Sequence, residues 1–206
     1  MSERRIVALS AGLGQPSSTR LLADRLAEAT ATELADRGRR PEVQVVELRD
    51  HAHDIVNAML TGVASPALAE VIEAVTGADA LIAVTPLFTT TYSGLFKSFV
   101  DVLDKDALVG LPVLLGATGG TARHSLALEY SIRPLFTYLR ADVSTTSVFA
   151  ATDDWATGAT GDEPSALPAR IRRAGAELAT TVATREQRVA QDPFTSTPSF
   201  ADLLRS

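Results

Sequence analysis

Five short apolar runs, each followed by residues at helical spacing, constrain this chain more than any other feature. The runs are "RRIVALSA" from Arg4, "EVQVVELR" (42–49), "ADALIAVTP" ending at Pro86, "LPVLLGATGG" (111–120) and "DVSTTSVFAA" (142–151). Short runs rich in Val, Ile and Leu read as strands. Between the first two, Leu21, Leu22, Leu26, Ala29 and Leu34 recur at helical spacing, with hydroxyl residues in front as caps. Ser65, Pro66 and Gly77 bracket another helix as N-cap, first helical residue and terminator. Residues 51–64 suggest a short helix ending at Gly62, and residues 87–105 a loop and a helix. Pro134 should divide the helical stretch 122–140. Asp153 to Pro168 reads as a polar loop and 165–190 as a last helix. Strands alternating with helices form a three-layer, doubly wound parallel sheet, here with five strands. No repeat or linker interrupts it, so we expect one domain over residues 1–190 and a tail at 191–206.

Composition narrows the chemistry. The 206 residues include no cysteine, which removes disulfides, thiolate nucleophiles and Cys-bound metals. The net charge is −6, and the one basic run, Arg37 to Arg40, falls where a helix should end and suits its dipole. Nucleic acid is therefore not expected as a partner. The first apolar run is too short for a signal peptide or a membrane span, so the expected location is cytoplasmic, without membrane association. His51 and His53 have no third His or Cys nearby, and no metal is expected.

Open α/β sheets bind ligands outside the carboxyl ends of their strands. Three loops there matter. The first, "SAGLGQPSSTRLLADRL" (10–26), holds only Gly12 and Gly14 and no Gly-Lys-Ser/Thr, so it is neither a dinucleotide fingerprint nor a P-loop. Ser10, Ser17, Ser18 and Thr19 gather at a helix start, where free N–H groups attract a phosphate monoester. A simple helix cap fits the same residues. The second loop, from Thr85, offers Pro86, Leu87, Phe88 and Thr89 as an apolar-and-hydroxyl wall for a flat ring. The apolar stripe Leu95, Phe96, Phe99, Val100 and Leu103 behind it suits a core or a dimer face, and Lys97 can pair with Asp101. The third loop contains Thr118, Gly119 and Gly120, whose glycines admit close backbone approach.

Together these loops resemble the NADPH-dependent FMN reductase family, a branch of the flavodoxin-like fold. The family pattern is Thr-Pro-Glu-Tyr-Asn-x-x-x-x-Gly-x-Leu-Lys-Asn-x-x-Asp; this chain keeps Thr85, Pro86, Gly94, Lys97 and Asp101 of it. Ser17 and Thr19 match the first loop of the family, and Gly119–Gly120 match its glycine turn. The likeness covers roughly residues 4–150. Two departures stand out: Gly12 and Gly14 replace the family's phosphate-loop Ser and Arg, and Leu87 replaces its Glu. The missing cation leaves Ser10, Ser18 or Arg20 to compensate and implies weaker flavin retention.

The resemblance implies strand order 2-1-3-4-5, FMN as cofactor, and NADPH or NADH as co-substrate delivering hydride to flavin N5. No side chain need act as acid or base. It implies phosphate contacts from Ser10, Gly12, Ser17, Ser18 and Thr19. The ring would lie against Pro86, Leu87, Phe88, Thr89, Thr118, Gly119 and Gly120, with Arg123 and His124 as nicotinamide-side candidates. The "TARHSLALEYSIRPLF" segment and the long tail resemble an actinobacterial subgroup associated with luciferase-like flavin monooxygenases, which would receive reduced FMN. A homodimer or homotetramer is also implied. A flavodoxin-type electron carrier and an NAD(P)H:quinone or azo reductase are the alternatives. Trp155 could cover a neighbouring subunit's site or pack locally.

Overall fold

A computed structural model describes residues 2–156, 163 and 165–187; the expected tail lies outside them. The chain runs β1 (Glu3–Ser10), α1 (Ser18–Asp36) and β2 (Arg40–Glu47), then α2 (Ala52–Thr61) and α3 (Pro66–Thr76). Next come β3 (Ala80–Phe88), β4 (Thr91–Tyr92), α4 (Gly94–Asp101) and β5 (Pro112–Gly119). It ends with α5 (Arg133–Tyr138), β6 (Asp142–Val143), β7 (Val148–Ala151), α6 (Thr152–Ala156) and α7 (Leu167–Thr184).

The sheet order is β2-β1-β3-β5-β6, all parallel, with β7 also parallel to β5 and β4 antiparallel to β3. Counting β6 and β7 as one interrupted strand recovers the expected order. The interruption has a long-range partner. Between the two pieces, the Thr145 and Thr146 N–H groups donate to the Glu177 carboxylate at 2.6 and 3.2 Å instead of to a strand.

The sheet buries both faces. Ile6, Ala8, Ile82 and Leu114 pack under α1 and α7; Val7, Leu9, Leu81 and Leu115 pack under the helices of the other side. Phe96, Phe99 and Phe136 fill that second layer, so the α4 stripe faces the chain's own core. Helices α1 and α7 cross closely at Gly175, where a Cβ would lie 2.9 Å from both Ala29 Cβ and the Thr30 nitrogen.

Caps act as the sequence predicts. Ser17 and Ser65 accept from Arg20 N and Leu68 N, Pro66 opens α3, and Gly62 ends α2 with φ 73°. The 122–140 stretch is divided as expected, into a 3-10 turn (Ala122–His124), a π-helical turn (Leu128–Ile132) and α5, with Pro134 in its first turn.

Three expectations need correction. Pro86 does not stop β3, which runs on to Phe88. Val84 faces β1, whose ladder ends there. Pro86, two residues later, turns the same backbone edge toward a strand that has already finished, so its missing N–H costs nothing. The loop after β3 begins as a hairpin with β4 rather than as irregular chain. Finally, the polar loop from Asp153 starts as helix α6, which carries Trp155; most of the remainder lies outside the described residues.

Candidate functional site

The carboxyl ends of β1, β3, β5 and β7 surround a cleft of about 390 Å³, within the roughly 300–1,000 Å³ of cofactor sites. Its first wall is the β1–α1 loop, with Gly12, Ser17, Ser18 and Thr19 on its border. Ser17 Oγ accepts from Arg20 N at 3.1 Å as N-cap. The amides of Ser18 and Thr19, in the first turn, have no acceptor within the helix and stand at the positive end of the helix dipole. Gly12 sits tight under this cap: a Cβ there would lie 2.1 Å from Ser17 Oγ.

Behind this loop is a set of buried hydroxyls. Thr19 and Thr118 are hydrogen-bonded through their Oγ1 atoms at 2.8 Å, joining the first and third loops. Ser10 is 0% exposed, lies on the sheet face covered by α1, and its Oγ has no hydrogen-bond partner. An unpaired buried hydroxyl costs about 1–3 kcal/mol, and Ser10 carries that cost beneath the first loop.

The second wall is Pro86, Leu87 and Phe88, with Phe88 half-exposed. Thr85 pins it: its hydroxyl donates to Pro86 O and accepts from Ser93 N, both at 3.0 Å. Ser93 Oγ in turn caps α4 by accepting from Phe96 N. Thr89 and Thr90 form the hairpin tip with φ 49° and 78°. The third wall is Thr118, Gly119 and Gly120. A Cβ on Gly119 would meet the Phe149 ring at 2.9 Å, whereas Gly120 faces open space.

The sequence-predicted residues therefore converge, with four exceptions. Ser10 lies beneath the cleft, Thr89 at the hairpin tip, and Arg123 and His124 on the exposed turn beyond Gly120, outside the cleft border. Arg20 does not supply the missing cation. Hydrogen bonds at 2.8 Å to Asp24 and Glu47 hold it on the outer face of α1, and the Asp24 contact first of all raises its pKa further. Lys97 pairs with Asp101 on the surface of α4. Sequence reasoning missed Arg49, whose Nη1 donates to the Gly14 carbonyl at 3.1 Å and braces the first loop from outside. It also missed Ala150 and Thr152 on the fourth wall, and it left Trp155 unplaced between two readings; Trp155 borders its own chain's cleft.

A profile of the NADPH-dependent FMN reductase family matches residues 4–156, which carry all four walls. The chain belongs to this family. An NADH-dependent FMN reductase, SfnF, of Pseudomonas fluorescens is 38% identical over 85% of this chain and 90% of its own length. An oxidoreductase from Corynebacterium diphtheriae superposes with TM-score 0.85 at 42% identity, covering 90% of this chain and all of that one. A WrbA-like flavodoxin from Agrobacterium tumefaciens, at 17% identity and TM-score 0.59 over 90% of this chain and all of that one, shares the fold.

The residues present fit an FMN of this family. The helix terminus and buried hydroxyls suit a monophosphate dianion, and an apolar wall opposite two glycines suits a flat ring.

Proposed function

We infer that this chain is an NAD(P)H-dependent FMN reductase that places the flavin phosphate at the start of α1 and the ring between Phe88 and Gly119–Gly120. The observation that carries this reading is the convergence on one cleft of the α1 N-terminus, the buried Thr19–Thr118 hydroxyl pair and the Gly119–Gly120 turn. FMN held there would supply the redox chemistry, the exchange of a hydride with NAD(P)H and of reducing equivalents with a second acceptor. The protein's part is binding and orientation. Ser17 fixes the first turn so that the Ser18 and Thr19 amides point at the phosphate. Thr85, through Ser93 and Pro86, holds the hairpin that flanks the ring. Gly119 and Gly120 leave backbone N–H groups accessible to the polar ring edge. Half-exposed Phe88 borders the open side, from which a nicotinamide can reach the ring.

The finer readings follow from this one. The protein acts in the cytoplasm as a homo-oligomer and hands reduced FMN to a flavin-dependent monooxygenase. Supporting oligomerisation, Val56, Met59, Leu60 and Val63 form an exposed apolar stripe on and just beyond α2. Among the described residues no single helix is long and apolar enough to cross a membrane.

The decisive experiment titrates the protein with FMN and then mixes it with NADPH or NADH in a stopped-flow instrument. Rapid bleaching of bound flavin and sustained NAD(P)H oxidation with free FMN are expected. Tight FMN binding without turnover would instead identify an electron carrier.

A further inference from the structure

We propose that Trp155 closes the phosphate end of the cleft and makes the site select a flavin mononucleotide over a flavin dinucleotide. The proposal rests on the flavin reading above. Trp155 is the chain's single tryptophan. It borders the cleft beside Thr152. The Arg25 guanidinium lies over its ring, 5.2 Å from the centroid. Arg25 itself borders a different cavity, a groove of about 430 Å³ between α1 and α7 that includes Pro168 and Ile171. The indole and the guanidinium together are the partition between the two spaces.

The partition stands beside the phosphate subsite. Ser18, Leu22 and Arg25 follow one another along a single face of α1. Ser18 borders the cleft, and Leu22 belongs to the core cluster on which Trp155 packs. Long helical side chains lean toward the helix N-terminus, which carries the Arg25 head toward the cleft. The indole is also anchored from its own element. Asp154 accepts from Ala151 N at 2.8 Å and pairs with Arg170 at 2.6 Å, and Arg170 donates as well to Phe149 O. Trp155 is thus braced from β7, α1 and α7.

A mononucleotide ends at its phosphate. A dinucleotide continues through a second phosphate, a ribose and adenine. An extension that leaves the α1 terminus toward the α1–α7 groove meets Trp155 and Arg25, which stand between the cleft and the groove. Rejecting a ligand by obstruction is a common source of specificity.

The test is equilibrium titration with FMN and with FAD, followed by quenching of flavin fluorescence, in wild type and in Trp155→Ala. Trp155→Leu serves the same purpose while keeping more of the packing against α1, and Trp155→Phe keeps an aromatic plate. Wild type should bind FMN at least about tenfold more tightly than FAD. In the Ala or Leu variant the preference should shrink to about threefold or less, through tighter FAD binding, and Trp155→Phe should restore it. Wild type that binds FMN and FAD equally, or a preference unmoved by the Ala and Leu variants, overturns this proposal and leaves the flavin reading standing. Wild type that binds neither flavin overturns both.

Discussion

At the hairpin tip two consecutive threonines adopt positive φ. A two-residue hairpin of type I′ needs this conformation at both central positions, and Asn-Gly is the pair that adopts it readily. For a β-branched side chain it is strained, at about 1–3 kcal/mol per residue. Replacing Thr89 by Asn and Thr90 by Gly should therefore stabilise the protein. A gain of about 1–2 kcal/mol would raise Tm by a few degrees in a chain of this size, and a thermal melt of the apoprotein measures it. An unchanged or lower Tm would mean that the hairpin carries no such strain. In the first loop the critical atom is one that is missing. Gly12→Ala would set a methyl 2.1 Å from Ser17 Oγ, forcing the cap off Arg20 N and crowding the phosphate subsite. FMN affinity should fall about tenfold or more, whereas Ser17→Ala, which loses only a cap worth about 1 kcal/mol, should cost less. A flavin titration ranks the two. The residues of these loops were readable because hydroxyls before a helix and glycines after a strand have direct physical meanings. Trp155 was not placed, because it sits in a polar stretch rich in Gly and Thr whose local pattern resembles a loop.

Elements were legible where one pattern dominates. Helix α3 shows N-cap, proline and terminal glycine together, and β1 and β5 each centre on a short apolar run, Ile6–Leu9 and Pro112–Leu115. The departures occur where a long-range partner overrides local preference. Glu177 of α7 takes the amides that would have continued the fifth strand. The β3–β4 hairpin carries none of the glycine or asparagine that marks such a turn in sequence. Gly175 is a third case, since glycine in mid-helix is normally a weakness of about 1 kcal/mol relative to alanine. Here its bare backbone lets α7 rest on Ala29 and Thr30 of α1, with no room for a methyl. The atoms opposing it include backbone, which cannot swing aside, and overpacking costs about 1–3 kcal/mol. Gly175→Ala should thus lower Tm despite its better helix propensity, and Gly175→Leu should lower it further. Because the proposed phosphate subsite lies at the start of α1, the same variants should weaken FMN binding more than Gly94→Ala, at the start of α4, where a Cβ would meet nothing within 4 Å. A Gly175→Ala protein more stable than wild type would show that the two helices are not in register-fixing contact.

On the scale of the whole molecule, the described residues bury Phe96, Phe99 and Phe136 on one face of the sheet and Leu22 and Leu26 on the other, but leave an apolar stripe uncovered at α2. The α4 helix, which the sequence offered as either core or dimer face, is spent on the core: Phe96 and Phe99 are fully buried. A candidate interface is α2, where Val56, Met59 and Leu60 are exposed at helical spacing and Val63 follows just past Gly62. Fully burying a Leu or Val is worth about 1.5–3 kcal/mol, so four such residues meeting a second copy can drive association at micromolar concentration even after the entropy of docking is subtracted. An isologous pairing of two such stripes closes on itself and needs no other surface. Sedimentation velocity should show a species larger than the monomer. The double substitution Leu60→Glu and Val63→Glu, at positions 80% and 71% exposed, should shift it to monomer without loss of helix content or FMN binding. None of the described residues lining the cleft lies on α2 or at Val63, so the monomeric variant should still bind the flavin. If the double variant sediments like wild type, the stripe is not the interface.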